Sequence, residues 1–215
     1  MAAPPLNVSD RSITRVRGGG AWRLAPRIHG THIAIMANST EIILRWAYSE
    51  LTSERFRKDM ADAGVPAELF DLADTGAPYD EKIAQTPERR VPLLRALYHL
   101  RGNNVAMLLN EEHEVQNWTK NDVLKLRVVP ANGGLSIEEF MQAKPSGHAQ
   151  DPRAKVAKMT DAKLKGLSET PGIVGFNGSA IVLLDGTSRT LARLRRGDTV
   201  FPMWTPASLS PLRPS

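Results

Sequence analysis

The sequence predicts an α+β protein with a mostly helical N-terminal region and a strand-rich C-terminal region. Three observations carry this. Residues 31–119 hold long apolar-periodic stretches opened by capping residues and closed by Gly and Pro. Residues 120–204 alternate strand-length apolar runs with short amphipathic segments. The charge divides at the same place: residues 1–119 carry 14 Lys+Arg and 15 Asp+Glu, and residues 120–215 carry 14 and 8. The whole basic excess therefore lies in the second region. It fits a polyanionic partner such as DNA or a nucleotide, or equally a basic solvated surface.

A chain of 215 residues with 41% hydrophobic and 24% charged content can bury a substantial core. Cys is absent, which excludes disulfides, thiolate metal sites and a cysteine nucleophile. No apolar run has bilayer-spanning length and no signal-peptide pattern opens the sequence, so the expectation is a cytoplasmic protein without a membrane span.

Taken in order, residues 1–30 read as a basic flexible arm, with Pro4-Pro5 and Gly18-Gly19-Gly20 around Arg11, Arg15 and Arg17. Ile33 to Ala37 reads as a short strand. Asn38-Ser39-Thr40 offers caps for a helix running to about Ala63, ended by Gly64 and Pro66. A short helix over Ala67 to Ala73, a turn of helix over Asp80 to Gln85 and a helix over Pro87 to Leu100 follow, with Pro92 tolerated near its start. Glu111, Glu112, His113 and Glu114 read as a solvated acidic helix end. A metal site there lacks a second His at ligand spacing.

Past residue 120, Val123 to Val129 alternates like a strand. Ile137 to Gln142 is a short acidic helix behind Ser136. Asp151-Pro152 starts a helix with Val156, Met159 and Leu164 on its inner side and Lys155, Lys163 and Lys165 outward. Ile173 to Phe176 and Ala180 to Leu184 are strands joined by the hairpin signal Asn177-Gly178. A break at Asp185-Gly186 leads into a helix with Leu191 and Leu194 on one side and arginines on another. Thr199 to Trp204 is the last strand, before a Pro-rich tail at 205–215.

The strand–turn–helix junction at Asp185-Gly186-Thr187-Ser188-Arg189 is the chemical centre of the sequence. A helix start exposes backbone N–H groups that lack partners and sits at the positive end of the dipole, which suits an anion. Thr187 and Ser188 add hydroxyls, and Arg189 adds a planar cation that matches phosphate. An ordinary capped junction has the same look. Asp185 serves either to hold Mg2+ or orient a water, or to form the turn through its own side chain. Glu138 and Glu139 are candidates for a second catalytic carboxylate, or else form a solvated helix face. Arg193, Arg195 and Arg196 make a candidate nucleic-acid-tracking surface. Trp118 and Trp204 are either base-stacking or core residues.

The order of these elements resembles the ParB/sulfiredoxin-like fold. The residues that carry the resemblance are Ile181 to Leu184, Asp185-Gly186-Thr187-Ser188-Arg189, Ala192, Gly197 and Pro202, with Asp151-Pro152-Arg153-Ala154-Lys155-Val156 upstream. It covers about residues 120–204. It implies that Gly186, Thr187, Ser188 and Arg189 bind the phosphates of ATP or another nucleotide, with Lys155 as a second contact. Thr187 stands where sulfiredoxins place a reactive cysteine, which excludes reduction of a sulfinic acid through a thiol. Ser188 stands where the family often has His, removing a candidate base. The 11 residues after Trp204 hold no helix-turn-helix of the partition proteins.

Within the fold, the chain resembles plasmid fertility-inhibition factors of the oncogenic-suppression type. That resemblance implies a block on conjugative or T-DNA transfer through a type IV secretion system, with ATP hydrolysis and DNase activity supported by Mg2+. The alternative is a non-catalytic nucleotide- or DNA-binding module that docks on a coupling or secretion protein.

Overall fold

A computed structural model describes residues 36–77, 79–144, 151–160 and 170–209. The arm at 1–30, Ile33, Leu164, Lys163, Lys165 and residues 210–215 of the tail lie outside the described residues. The fold is α+β: helices pack on a mixed six-stranded sheet of order β1-β2-β6-β4-β5-β3. Its strands are β1 (Met36–Asn38), β2 (Glu112–Thr119), β3 (Arg127–Val128), β4 (Gly172–Phe176), β5 (Ile181–Asp185) and β6 (Val200–Pro206). Pairs β1–β2, β2–β6 and β4–β5 are antiparallel, while β4–β6 and β3–β5 are parallel.

Two apolar clusters lie on the two faces of this sheet, because successive strand residues point to opposite sides. In β5, Val182 and Leu184 join a cluster with Ile42, Trp46, Leu69 and Leu93. Leu183 joins the other, with Val123, Ile137, Phe140 and Leu191. The first face is covered by α1 (Ser39–Glu50), α2 (Glu54–Asp62), α3 (Ala67–Asp74) and α4 (Pro87–Val105). The second carries α5 (Lys120–Lys125), α6 (Ile137–Gln142), α7 (Pro152–Ala157) and α8 (Thr187–Arg196). Each fully buried aliphatic side chain contributes about 1.5–3 kcal/mol of hydrophobic stabilisation.

The single helix expected up to Ala63 is two helices. Ser49 and Thr52 hydroxyls bond the carbonyls of Trp46 and Ser49, and Leu51 turns fully inward, so the chain breaks before Ser53. The acidic stretch at 111–114 is not a helix end. It runs into β2, which pairs with β6 from His113↔Pro206 to Thr119↔Val200. Glu111 there accepts hydrogen bonds from the amide and hydroxyl of Ser208. The first three residues of the expected strand at 123–129 belong instead to α5, started by a reciprocal capping box between Thr119 and Asp122. Of that stretch, Arg127–Val128 pair into the sheet as β3. The change of texture at residue 120 is therefore not a division of the sheet, since β1 and β2 belong to it.

Among the described residues, no helix is long and apolar enough to cross a membrane.

Candidate functional site

Strand β5 ends at Asp185, and the chain reverses into α8 through Gly186 at φ 94°. Only glycine adopts that left-handed conformation without penalty. Space demands it as well. A Cβ on Gly186 would lie 3.0 Å from the Cα of Gly172 and 3.3 Å from the guanidinium of Arg189. Two glycines thus face each other where β4 begins and β5 ends. Met203 crowds the second, since a Cβ on Gly172 would fall 2.5 Å from its sulfur.

Thr190 donates the first intrahelical bond of α8, to the Gly186 carbonyl at 2.8 Å. The amides of Thr187, Ser188 and Arg189 precede it, and helix geometry leaves them without intrahelical partners. Gly186 has no side chain to cap them. Arg189 folds back over this turn. Its guanidinium donates to Asp185 Oδ2 at 2.5 Å, with both side chains less than one-fifth exposed, and its Nε is buried without a hydrogen-bond partner.

The charge of Asp185 also reaches a residue the sequence reading did not select. Glu50, the last residue of α1, is 8% exposed. Its Oε1 accepts from the Trp46 indole at 3.2 Å and from Arg101 Nε and a terminal nitrogen at 3.2 and 2.9 Å. The Arg101 guanidinium lies 4.4 Å over the Phe56 ring, and the α4 backbone departs from helical geometry at Arg101 to put it there. Burial, and then the nearby carboxylate of Asp185, raise the proton affinity of Glu50, against the opposing pull of Arg101. Two carboxylates and two arginines from α1, α4, β5 and α8 therefore form one electrostatic group. Glu50 sits one turn from Trp46, on the buried side of an apolar helix. That carboxylate on an apolar face is the signal that marks it.

The other expected site residues do not gather here. Glu139 completes a capping box with Ser136 at the start of α6, which holds its carboxyl below the ordinary range. Glu138 beside it is exposed. Ser136 bridges to Arg127, which is level with Val182. That is three residues before Asp185, about 10 Å along the strand. Lys155 is exposed on α7. Its neighbour Val156 accepts a bond from Arg195 at 2.6 Å, near the far end of α8 from the turn. Arg193 and Arg196 engage Asp198 at 3.4 and 2.6 Å. Trp118 and Trp204 are both core residues, 5% exposed. Trp118 donates to Thr205, and Trp204 lies under Arg45.

His113, read from sequence as part of an acidic surface, is fully buried in β2. Its Nδ1 lies 3.0 Å from the Glu111 carbonyl and its Nε2 has no partner. Desolvation lowers its proton affinity.

A Mg2+ ion held by the protein alone does not fit the turn, because Asp185 is neutralised by Arg189 and Glu50 by Arg101. Among the described residues, no group of three or more His, Asp or Glu is placed to hold a metal. The arrangement suits an anion instead: free amides, two hydroxyls and a cation with an unused N–H.

Comparison with family models, with curated proteins and with solved structures finds no match.

Proposed function

We propose that the protein binds the phosphate groups of a nucleotide or nucleic acid at the Gly186 turn. One observation carries this reading. A left-handed glycine with no room for a side chain opens a ten-residue helix, and the guanidinium of Arg189 is packed over it. A phosphate oxygen accepting from the Thr187 and Ser188 amides would compete with Asp185 for Arg189, exchanging one charge-assisted bond for another. Thr187 and Ser188 hydroxyls, both half-buried, add donors.

The wider role we assign rests on the resemblance of Asp185 to Arg189 and their flanking elements. It is that of a plasmid-borne fertility-inhibition factor restraining DNA transfer through a type IV secretion system, with ATP as the nucleotide. Within it, the ion pairs favour the binding module over the ATPase and nuclease. Glu139 is committed to a helix cap, and Asp185 is paired with Arg189 until an anion takes that arginine, so neither stands ready to activate a water before the ligand binds.

Equilibrium binding of ATP to the full chain tests the site, beside Arg189→Ala. Loss of a charge-assisted contact is expected to weaken binding about 10–100-fold. Unchanged affinity would remove the turn from consideration. Phosphate release or plasmid cleavage that disappears in Arg189→Ala would favour catalysis. In donor cells, expression of the protein is expected to lower conjugative transfer, and the Arg189→Ala variant to lower it less.

A further inference from the structure

Residues 110–113 tie both ends of the described chain to the sheet. Asn110 Oδ1 accepts from the Ser39 hydroxyl at 2.9 Å, at the start of α1. The Glu111 carboxylate accepts from the Ser208 amide and hydroxyl at 2.8 and 2.5 Å, in the 3-10 turn Ala207–Leu209 that follows β6. Glu112 is level with Asn38, and His113 lies between Ala37 of β1 and Pro206 of β6. His113 is fully buried at this junction. The Glu111 carbonyl, 3.0 Å away, can only accept, so in the neutral ring Nδ1 carries the proton and Nε2 holds a bare lone pair. Nε2 has no hydrogen-bond partner, so no acceptor lies within its reach.

The surroundings give a charged ring little help. Strand β2 packs against β1, β6, α1, α5 and the 3-10 turn. Ala37, Pro206 and Ser208 do not titrate near neutral pH. Glu112 and Glu114 point to the opposite face of β2. On the face that His113 shares, Glu41 pairs with Arg45 of α1, and Glu50 with Arg101 of α4. Lys120, Asp122 and Lys125 of α5 lie past Thr119, at the far end of β2. Burial opposes a positive charge on His113 and outweighs the pull of the Glu111 carbonyl and carboxylate.

We infer that His113 is an acid-operated latch: a proton taken up at Nε2 frees β1 and the Ser208 turn from β2 while the rest of the sheet stays paired. One proton moves from bulk water to Nε2; Nδ1 keeps its own. The charged ring finds no acceptor at Nε2 and reaches water only by parting the strands beside it. Strand β1 is the weaker side, three residues long at the edge of the sheet. Displacing the ring moves Glu111, whose carbonyl it holds, and with it the clamp on Ser208. Folding favours the neutral ring, so the latch is at full strength above the ordinary imidazole value of 6.5 and is lost as the pH falls through the lower folded value. This inference is independent of the phosphate reading of the Gly186 turn.

Hydrogen exchange of the full chain, followed residue by residue by NMR and expressed as protection against the intrinsic rate, tests the latch at about pH 7.5 and about pH 5.5. The amides of residues 36–38, 111–114 and Ser208 are expected to lose about five- to tenfold in protection on acidification, while Val174 of β4 and Leu183 of β5 keep theirs within about twofold. Imidazole 15N shifts are expected to show the Nδ1–H tautomer of His113 at the higher pH and a midpoint below 6.5. His113→Asn keeps a donor for the Glu111 carbonyl and does not titrate, so it should abolish the pH dependence. Glu111→Gln should retain it. A dependence that survives in His113→Asn, or vanishes in Glu111→Gln, would make the carboxylate the trigger and overturn the proposal. So would equal losses across the whole sheet, or protection in the native chain that ignores pH. Should His113→Asn not fold, the native chain decides: a His113 midpoint at or above 6.5 removes the latch.

Discussion

The two ends of α8 are built from the same parts and do opposite things. Each is bounded by a left-handed glycine, Gly186 at φ 94° and Gly197 at φ 82°. Each has an aspartate bonded to arginine of the helix: Asp185 to Arg189, and Asp198 to Arg193 and Arg196. At the C-terminal end the cap is closed. The Gly197 and Asp198 amides donate to the Leu194 and Arg193 carbonyls, and the two arginines hold Asp198 below the usual carboxylate range. At the N-terminal end the helix has no side-chain cap, Arg189 has an unused buried N–H, and a second carboxylate raises the electrostatic cost. One end closes a helix. The other leaves its first amides uncapped and an arginine N–H unpaired.

The largest difference is expected at the glycines. Gly186→Ala combines a left-handed Cβ penalty with a clash against Gly172 backbone, together about 2–4 kcal/mol. Gly197→Ala meets nothing within 4 Å and carries the conformational penalty alone, about 1 kcal/mol. Urea unfolding of both variants measures this, and equal losses would show that the close approach at Gly186 is not rigid. Next comes ligand binding. Arg189→Ala is expected to weaken ATP binding about 10–100-fold, and Arg196→Ala less than about twofold, because only the first faces free amides. Equal losses would move the polyanion site to the arginine-rich C-terminal end of the helix, as a nucleic-acid-tracking surface would require.

How much of this was legible beforehand follows from the range of each signal. The junction Asp185-Gly186 with its helix, the Asn177-Gly178 hairpin and the Ser136-to-Gln142 helix were readable, because caps, turns and periodicity act within a few residues. The Asn177 side chain indeed accepts from the Ser179 and Ala180 amides to shape its turn. Strand β2 was not readable. Its acidic residues favour a helix end locally, and seven rungs of pairing with β6, almost 90 residues away, override that preference. The break in the first helix depended on Leu51 being drawn into the core. Glu50 leaves a local trace, a carboxylate on the apolar face of α1, but its partner Arg101 lies 51 residues on and could not be paired with it from sequence. Arg193 and Arg196 pair with the nearby Asp198, and Arg195 bonds the Val156 carbonyl 39 residues earlier, partners that charge counting does not reveal.

The smallest effects carry opposite signs, and that opposition sharpens the contrast. Asp198→Asn removes a carboxylate whose proton affinity is lowered by folding. It is expected to cost about 0.5–1 kcal/mol at pH 7. The contribution of Asp198 is present above its unfolded value of 3.8 and fades as the pH falls through its lower folded value. Glu50→Gln removes a carboxylate whose proton affinity is raised by folding. The ionised form is the disfavoured one, so the stability Glu50 lends is full below 4.5 and is lost as the pH rises through its higher folded value. Near neutral pH the isosteric amide is therefore expected to be more stable than the native chain, relief of burial and of the Asp185 charge outweighing the counter-ion lost by Arg101. The gain should vanish toward pH 4. Urea midpoints measured at pH 7 and pH 4 decide it. A Glu50→Gln variant that is less stable at pH 7 would mean that the Arg101 pair outweighs burial and the Asp185 charge. Glu50 would then be an ordinary inter-helix ion pair, and the N-terminal end of α8 would resemble the C-terminal one. A gain at pH 7 identifies Glu50 as a group kept at the expense of stability, which is the signature of a residue held for a ligand rather than for the fold.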